Sequence, residues 1–247
     1  MKSDPFAQLK LLDVQALDAR ADQLRHQLNT LPENAELARL RAAGAELDRQ
    51  LVDARTLVAD LTAEQKKVDS DVESVKARRV RDRDRMDQGL ITNPKDLERM
   101  THELVSLERR IGSLEDDELE VMERLEEAQR TLDVLTAEAA TTRERAEVVV
   151  SDRDARATDI DAELTSVAAE RVPTVDGLPA DLLALYDKLR TAKDGVGAAT
   201  LRARACTGCH MSLDPSELAV IKAAPSDEVI RCAECQRILV RTSESGL

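Results

Sequence analysis

The sequence predicts a mainly α protein: a long antiparallel coiled-coil helical hairpin with a small β-rich ribbon at its C-terminal end. Three observations predict it. The chain of 247 residues holds one Phe, one Tyr and no Trp, while 34% of its residues are charged, a composition of long solvated helices rather than of an aromatic-filled globular core. Two long apolar repeats of period seven are interrupted once, by a turn-forming stretch. All four cysteines lie near the C-terminus in two matched pairs, Cys206-x-x-Cys209 and Cys232-x-x-Cys235.

The first repeat starts at Leu37. Position a holds Leu37, Gly44, Leu51, Val58, Gln65 and Val72; position d holds Leu40, Leu47, Ala54, Leu61, Val68 and Val75. Only Gly44 and Gln65 depart from an apolar seam. The repeat stops at "DQGLITNPKDLERM", which sets the turn at 87–94: Gly89 tolerates turn geometry, Asn93 is a good N-cap, and Pro94 suits the first helical position. A second repeat follows, with Leu97, Leu104, Ile111, Glu118, Leu125, Leu132, Ala139 and Ala146 at a, and Met100, Leu107, Leu114, Val121, Ala128, Leu135, Thr142 and Val149 at d. A short turn makes the arms antiparallel neighbours, and folding about it sets residue i opposite about 181 − i.

Both seams fail at one end. Leu17, Ala21, Leu24, Leu28 and Leu31 follow a heptad two residues out of phase with Leu37, and Arg153 and Arg156 occupy seam slots of the second arm. The expected organisation is a hairpin domain over 1–191, with a distal rod over 37–149 and basal helices at 5–31, 153–171 and 180–191. Pro173, Gly177 and Pro179 break the chain before the last of these. The basal helices are expected to bury Phe6 and Tyr186.

Residues 196–247 form the ribbon. Two C-x-x-C turns can surround one metal ion with four thiolates, which suits a closed, structural zinc site. About fifty residues without aromatics bury too little to fold unaided, and a bound ion supplies the missing free energy. Iron has the same ligand set; two disulfides and a dithiol redox pair are the other readings of the thiols. "GAATLRARA", "EVIR" and "RILVRT" read as strands, and Asp214 as the N-cap of a short helix. His210 reads as a surface residue beside the site, and His26 and His102 enter no catalytic constellation. With no phosphate loop either, no enzyme chemistry is legible.

Net charge is −13, yet residues 200–247 carry six charges of each sign, so the acid excess belongs to the helices and disfavours wrapping them on nucleic acid. No apolar run reaches membrane-spanning length, and no signal core precedes Asp4, so the chain is expected in the cytoplasm.

At "LITNPKDLERMTHEL", "LYDKLR", "CTGCHMSL" and "CAECQRILV" the chain resembles the bacterial C4-type zinc-ribbon proteins with a long coiled-coil hairpin. Relatives in that family include chlamydial and Helicobacter proteins associated with sigma-54 and flagellar regulation. The resemblance covers the whole chain, and it implies one Zn²⁺ on Cys206, Cys209, Cys232 and Cys235. Two departures stand out: His210 and Gln236 follow the second cysteine of each pair where Gly is common, and Val240 follows Leu239 where Tyr is frequent.

The function expected is a non-enzymatic adaptor or regulator, binding a protein or an RNA/DNA partner in transcription or RNA-linked regulation. No membrane or small-molecule substrate is implied. Candidate contacts are Arg78, Arg79, Arg81, Arg83, Arg85 and Lys95 at the hairpin tip, and Arg202, Arg204 and Arg237 on the ribbon. The alternative is a structural or self-associating scaffold, and the sequence leaves the oligomeric state open.

Overall fold

The computed structural model describes residues 1–247. Five helices and four strands follow in order: α1 (Pro5–Asn29), α2 (Pro32–Asp87), α3 (Pro94–Val175), α4 (Ala180–Ala192), β1 (Ala198–Arg202), β2 (Ala205–Cys206), α5 (Pro215–Ala223), β3 (Ile230–Arg231) and β4 (Ile238–Val240). They form two compact units, a rod of Ala35–Val150 and a head of Met1–Asn34 with Ser151–Leu247. No helix is long and apolar enough to cross a membrane.

In the rod, every seam position named above is buried or half-buried except Leu97, at 41% exposure beside the turn. Asn93 caps α3, its Oδ1 accepting from the Lys95 N–H at 3.0 Å, and Gly89 sits at φ +69° in the turn. Ion pairs cross between the arms: Glu36–Arg145, Asp48–Arg143, Glu64–Arg124, Lys76–Glu115, Arg79–Glu108 and Arg78–Glu103. Their residue numbers add to between 181 and 191 and centre near 186, so the register lies about five residues from the expected 181. The physical reason is the seam itself. Antiparallel arms alternate a against d′, which sets Leu37 level with Val149 and Leu61 with Leu125; a sum of 181 would face seam positions with surface ones.

The head differs from expectation in three ways. There is no separate helix over 153–171, because α3 runs unbroken to Val175 and carries Pro173 in its last turn. The chain turns only at Asp176–Pro179, with Gly177 at φ +81°. Losing a seam does not end a helix when its charged residues find other partners: Arg156 meets Glu33 at 2.6 Å and Arg153 meets Asp154 at 2.6 Å. Tyr186 is fully buried but Phe6 is 80% exposed. At about 100° per residue Phe6 lies roughly 140° around α1 from the buried Leu11, which turns it away from the core.

Third, ribbon and basal helices are not divided between residues 191 and 196. One core joins Leu11 and Val14 of α1, Leu182, Tyr186 and Leu189 of α4, and Ala198, Val229, Ile238 and Val240 of the ribbon. A second, on the other side of the sheet, joins Ala199, Leu201, Cys206, Leu213, Ile221, Cys232 and Leu239. The sheet order is β2-β1-β4-β3, with β1 parallel to β4 and the other pairs antiparallel. Successive residues of a strand point to opposite faces, so Ile238 and Val240 enter the first core and Leu239 the second. A strand covered on both faces cannot be a detachable appendix.

Polar side chains complete the union. Gln15 of α1 accepts from the N–H groups of Gly197 (2.8 Å) and Ala198 (3.3 Å) and donates to the Gly195 carbonyl (3.0 Å). The Ser3 N–H donates to the Asp227 carbonyl at 2.7 Å, and the Val229 N–H to that of Met1 at 3.0 Å. Asp18 is 5% exposed and accepts from Arg171 Nε at 2.7 Å and Tyr186 OH at 2.8 Å, joining α1, α3 and α4. Burial pushes its carboxyl up, but the hydrogen bonds from Arg171 and Tyr186 and the charges of Arg171 and Arg190 outweigh this and hold it below the usual range.

Candidate metal centre

Each cysteine pair sits on a knuckle of the same construction. In the first, the His210 N–H donates to the Cys206 carbonyl at 2.7 Å and the Cys206 N–H to that of Met211 at 3.0 Å. In the second, the Gln236 N–H donates to the Cys232 carbonyl at 2.9 Å and the Cys232 N–H to that of Arg237 at 3.0 Å. Closing the turn demands a left-handed residue after the second cysteine. His210 (φ 60°) and Gln236 (φ 64°) adopt that conformation without being glycine, at a cost of about 1–2 kcal/mol each. The departure from glycine therefore leaves the knuckle geometry intact.

The two knuckles bring the thiols together. Sγ of Cys206 lies 3.9 Å from that of Cys235, Sγ of Cys209 lies 3.8 Å from that of Cys232, and all four fall within 4.8 Å of one another. Zinc–sulfur bonds of about 2.3 Å in a tetrahedron require sulfur–sulfur edges of about 3.8 Å, so the donor set fits the ion. A disulfide needs about 2.05 Å, and the cysteines are free. As thiols, Cys232 is pushed up to about 12 and Cys206 is also raised, in both cases chiefly by burial. Burial also pushes Cys235 up. Hydrogen bonds from the Arg237 N–H and side chain and from the neighbouring thiols outweigh it and bring the group down to about 7. A cluster of this kind suits a divalent cation that stabilises all four thiolates.

Gly208 lets the first knuckle approach the sheet, since a Cβ there would meet Ala199 Cβ and Arg237 Cδ at 2.9 Å. Arg237 fastens the knuckle to the chain after α4, donating from Nε to the Val196 carbonyl (2.9 Å), from Nη1 to that of Gly208 (3.1 Å) and from Nη2 to that of Lys193 (3.0 Å). Expected as a partner contact, it has instead its guanidinium directed at the protein's own backbone. Arg241 does likewise, donating to the carbonyls of Ile221, Ala224, Pro225, Ser226 and Glu228. Arg202 pairs with Glu244 at 3.0 Å and Arg204 bonds the Gly246 carbonyl; both remain exposed. At the tip Arg78 and Arg79 belong to the cross-arm pairs, whereas Arg81, Arg83, Arg85 and Lys95 make no ion pair. His26, His102 and His210 are exposed. Asp214 occupies the N-cap position of α5, but its side chain makes no capping bond.

Four sulfur ligands close the coordination sphere, so the ion serves structure and has no place for substrate. Fold and site together define a hairpin protein with a structural C4-type zinc ribbon, built of coiled-coil and metal-binding modules and not of an enzyme family. Residues 14–194 match the CT398-like coiled coil hairpin domain and residues 205–239 the C4-type zinc ribbon domain; the chain belongs to the CT398-like coiled-coil hairpin family. An uncharacterized protein of Mycobacterium tuberculosis is 33% identical over 248 residues, covering 98% of both chains, and one of Mycobacterium leprae is 28% identical over 222 residues, 88% of this chain and 93% of that one. A solved structure from Mycobacterium smegmatis superposes with a TM-score of 0.85 at 33% identity, over 98% of this chain and all of that one. CT398 from Chlamydia trachomatis gives 0.70 at 18% identity, over 96% of this chain and 98% of its own, a likeness of fold.

Proposed function

We propose that the chain is a non-enzymatic adaptor of a reducing cytoplasm, whose zinc-organised head docks a protein partner while the rod acts as a spacer. The observation that carries this reading is Phe6. The only Phe of the chain stands 80% exposed on the first turn of α1, one turn before Leu9, itself 40% exposed. Aromatic residues are enriched at protein interfaces relative to the rest of the surface, so an exposed Phe grouped with an exposed Leu favours a contact there. Leu9 also borders a cleft of about 380 Å³ with Lys222, Ala224 and Val240. Lys222 makes no ion pair within the head, which favours a partner that brings an apolar side chain and an acid.

A protein is favoured over nucleic acid for two reasons. Arg237 and Arg241 are committed to backbone carbonyls, and no aromatic platform stands among the remaining ribbon cations. A role in gene expression would run through such a protein partner.

A photo-crosslinking residue at position 6 tests the reading in cells, with one at the exposed rod position Val134 as control. The expected result is a discrete protein adduct specific to position 6, insensitive to nuclease and lost with Leu9→Ser. Adducts to nucleic acid alone, or equal labelling from both positions, would overturn it.

A further inference from the structure

The sheet of the head has an edge that its own chain covers only in part. β3 is an outer strand of the order β2-β1-β4-β3. Beside it Met1–Ser3 run antiparallel to Glu228: the Ser3 N–H reaches the Asp227 carbonyl and the Val229 N–H that of Met1. That cover stops at Val229. The Cys232 N–H donates to the Arg237 carbonyl in β3's own hairpin, while Ile238, opposite Arg231, donates its N–H away from β3 to the Gly197 carbonyl. Bonded and non-bonded pairs alternate along an antiparallel ladder, so the N–H and C=O of Arg231 turn outward. No group of the protein bonds them there.

Next to this open step runs a groove of about 430 Å³ between α5 and β3. Leu213, Ile221, Val229 and Ile230 make its apolar floor, and Val220 stands on its wall 69% exposed. Glu217 and Glu228 line the same groove without an ion pair. Glu217, in the first turn of α5, answers the helix dipole. The Glu228 carboxylate has no such partner, since Lys2 pairs with Asp227 instead. Asp214 and Glu234 add exposed acids beside the lining residues Leu213 and Ala233. Only Arg231 opposes these four acids within the groove, with its Nε held on the Gln236 carbonyl at 3.0 Å. Lys222 and Arg241 line the cleft beside Leu9, and Lys222 lies about 160° around α5 from Val220.

We propose that this edge takes up an extended segment of a partner protein, an aliphatic side chain flanked by Lys or Arg, as one more strand beside Arg231. The Arg231 N–H and C=O hold the segment's backbone, the apolar floor takes its aliphatic side chain, and Glu217 and Glu228 meet its basic ones. The same acids repel the phosphates of a nucleic acid. This surface and the Leu9 cleft lie on different faces of α5, so it is a second contact of the head and does not rest on Phe6.

Selection of a phage-displayed library of random heptapeptides on the full-length, zinc-loaded protein tests this. The expected result is enrichment of sequences with Val, Ile or Leu at a fixed position and Lys or Arg beside it. A synthetic peptide of the enriched sequence should protect the Arg231 amide from hydrogen exchange and bind more weakly as salt rises. Val220→Asp and the double reversal E217K/E228K should each weaken its binding roughly tenfold or more, whereas Phe6→Ser should leave it unchanged. Unchanged zinc content and circular dichroism show that the variants remain folded. No enrichment, enrichment of acidic sequences, an Arg231 amide left unprotected, or binding that ignores Val220→Asp and is lost with Phe6→Ser would each overturn the proposal.

Discussion

The rod and the head use the same aliphatic alphabet and are held together in opposite ways. The rod repeats one layer many times: an apolar seam with ion pairs crossing outside it, nearly all of them well exposed and each worth under about 1 kcal/mol. Its neighbours are fixed by periodicity, and no single residue is indispensable. In the head each contact occurs once. One buried carboxylate and one glutamine tie segments 153 and 182 residues apart in sequence. One tetrathiolate site and the arginines Arg237 and Arg241 fasten the turns of the ribbon to one another and to the chain after α4. Damage to a repeat stays local, whereas damage to a unique joint spreads through the unit.

Metal removal separates the two most sharply. A chelator should unfold the ribbon and loosen α1 and α4, since structural zinc contributes roughly 10–16 kcal/mol in small domains. Rod helicity should persist, with thiol labelling rising while most far-UV ellipticity remains. Thiols that stay protected after the ion is gone would sink the contrast. Next is Leu114→Ala, in the rod seam at 4% exposure, expected to cost about 2–4 kcal/mol. Hydrogen exchange should localise that loss to neighbouring turns of the rod and leave the head unchanged.

Asp18→Asn should cost about 2–3 kcal/mol, because Arg171 loses the nearer of its two carboxylates, keeping only Asp187 at 3.7 Å. The pH dependence has a definite sign. The folded pKa of Asp18 is depressed, so its stabilisation is fully present above the unfolded value near 4 and is lost as pH falls through the folded one. The head of the wild type should soften in acid by this route, and the variant should have a flatter profile there. Gly197→Ala should cost about 1–3 kcal/mol, since its Cβ would stand 2.6 Å from the Tyr186 carbonyl oxygen; thermal melts of the head read this out. The smallest effect is a gain. Gln236→Gly relieves a left-handed residue and should stabilise the ribbon by up to about 1 kcal/mol, measured as greater resistance to chelation.

The same contrast explains what reading residues in order could reach. Seam positions in the rod depend only on spacing, so Leu51, Leu61, Leu114 and Val121 are legible as core. The inter-arm register was legible too, had a been required to face d′. Phe6 was within reach by the same token, because its angle from Leu11 around α1 is fixed by the helical period. Asp18 gave a weaker signal, a charged residue on the stripe that carries Leu11, Val14 and Ala21, but its partners Arg171 and Tyr186 lie beyond any local pattern. Arg237 gave none: a surface arginine and one that bonds three carbonyls look alike until the fold brings those carbonyls together.

By itself, then, the sequence determined the hairpin, its turn and the four ligands of the ion, because helical periodicity and thiol spacing act over a few residues. Only the tertiary structure decided that ribbon and basal helices are one unit, and that Arg237 and Arg241 point inward. Those outcomes depend on which distant backbone groups and side chains packing brings within a few ångströms, and that distance is not written in the order of residues.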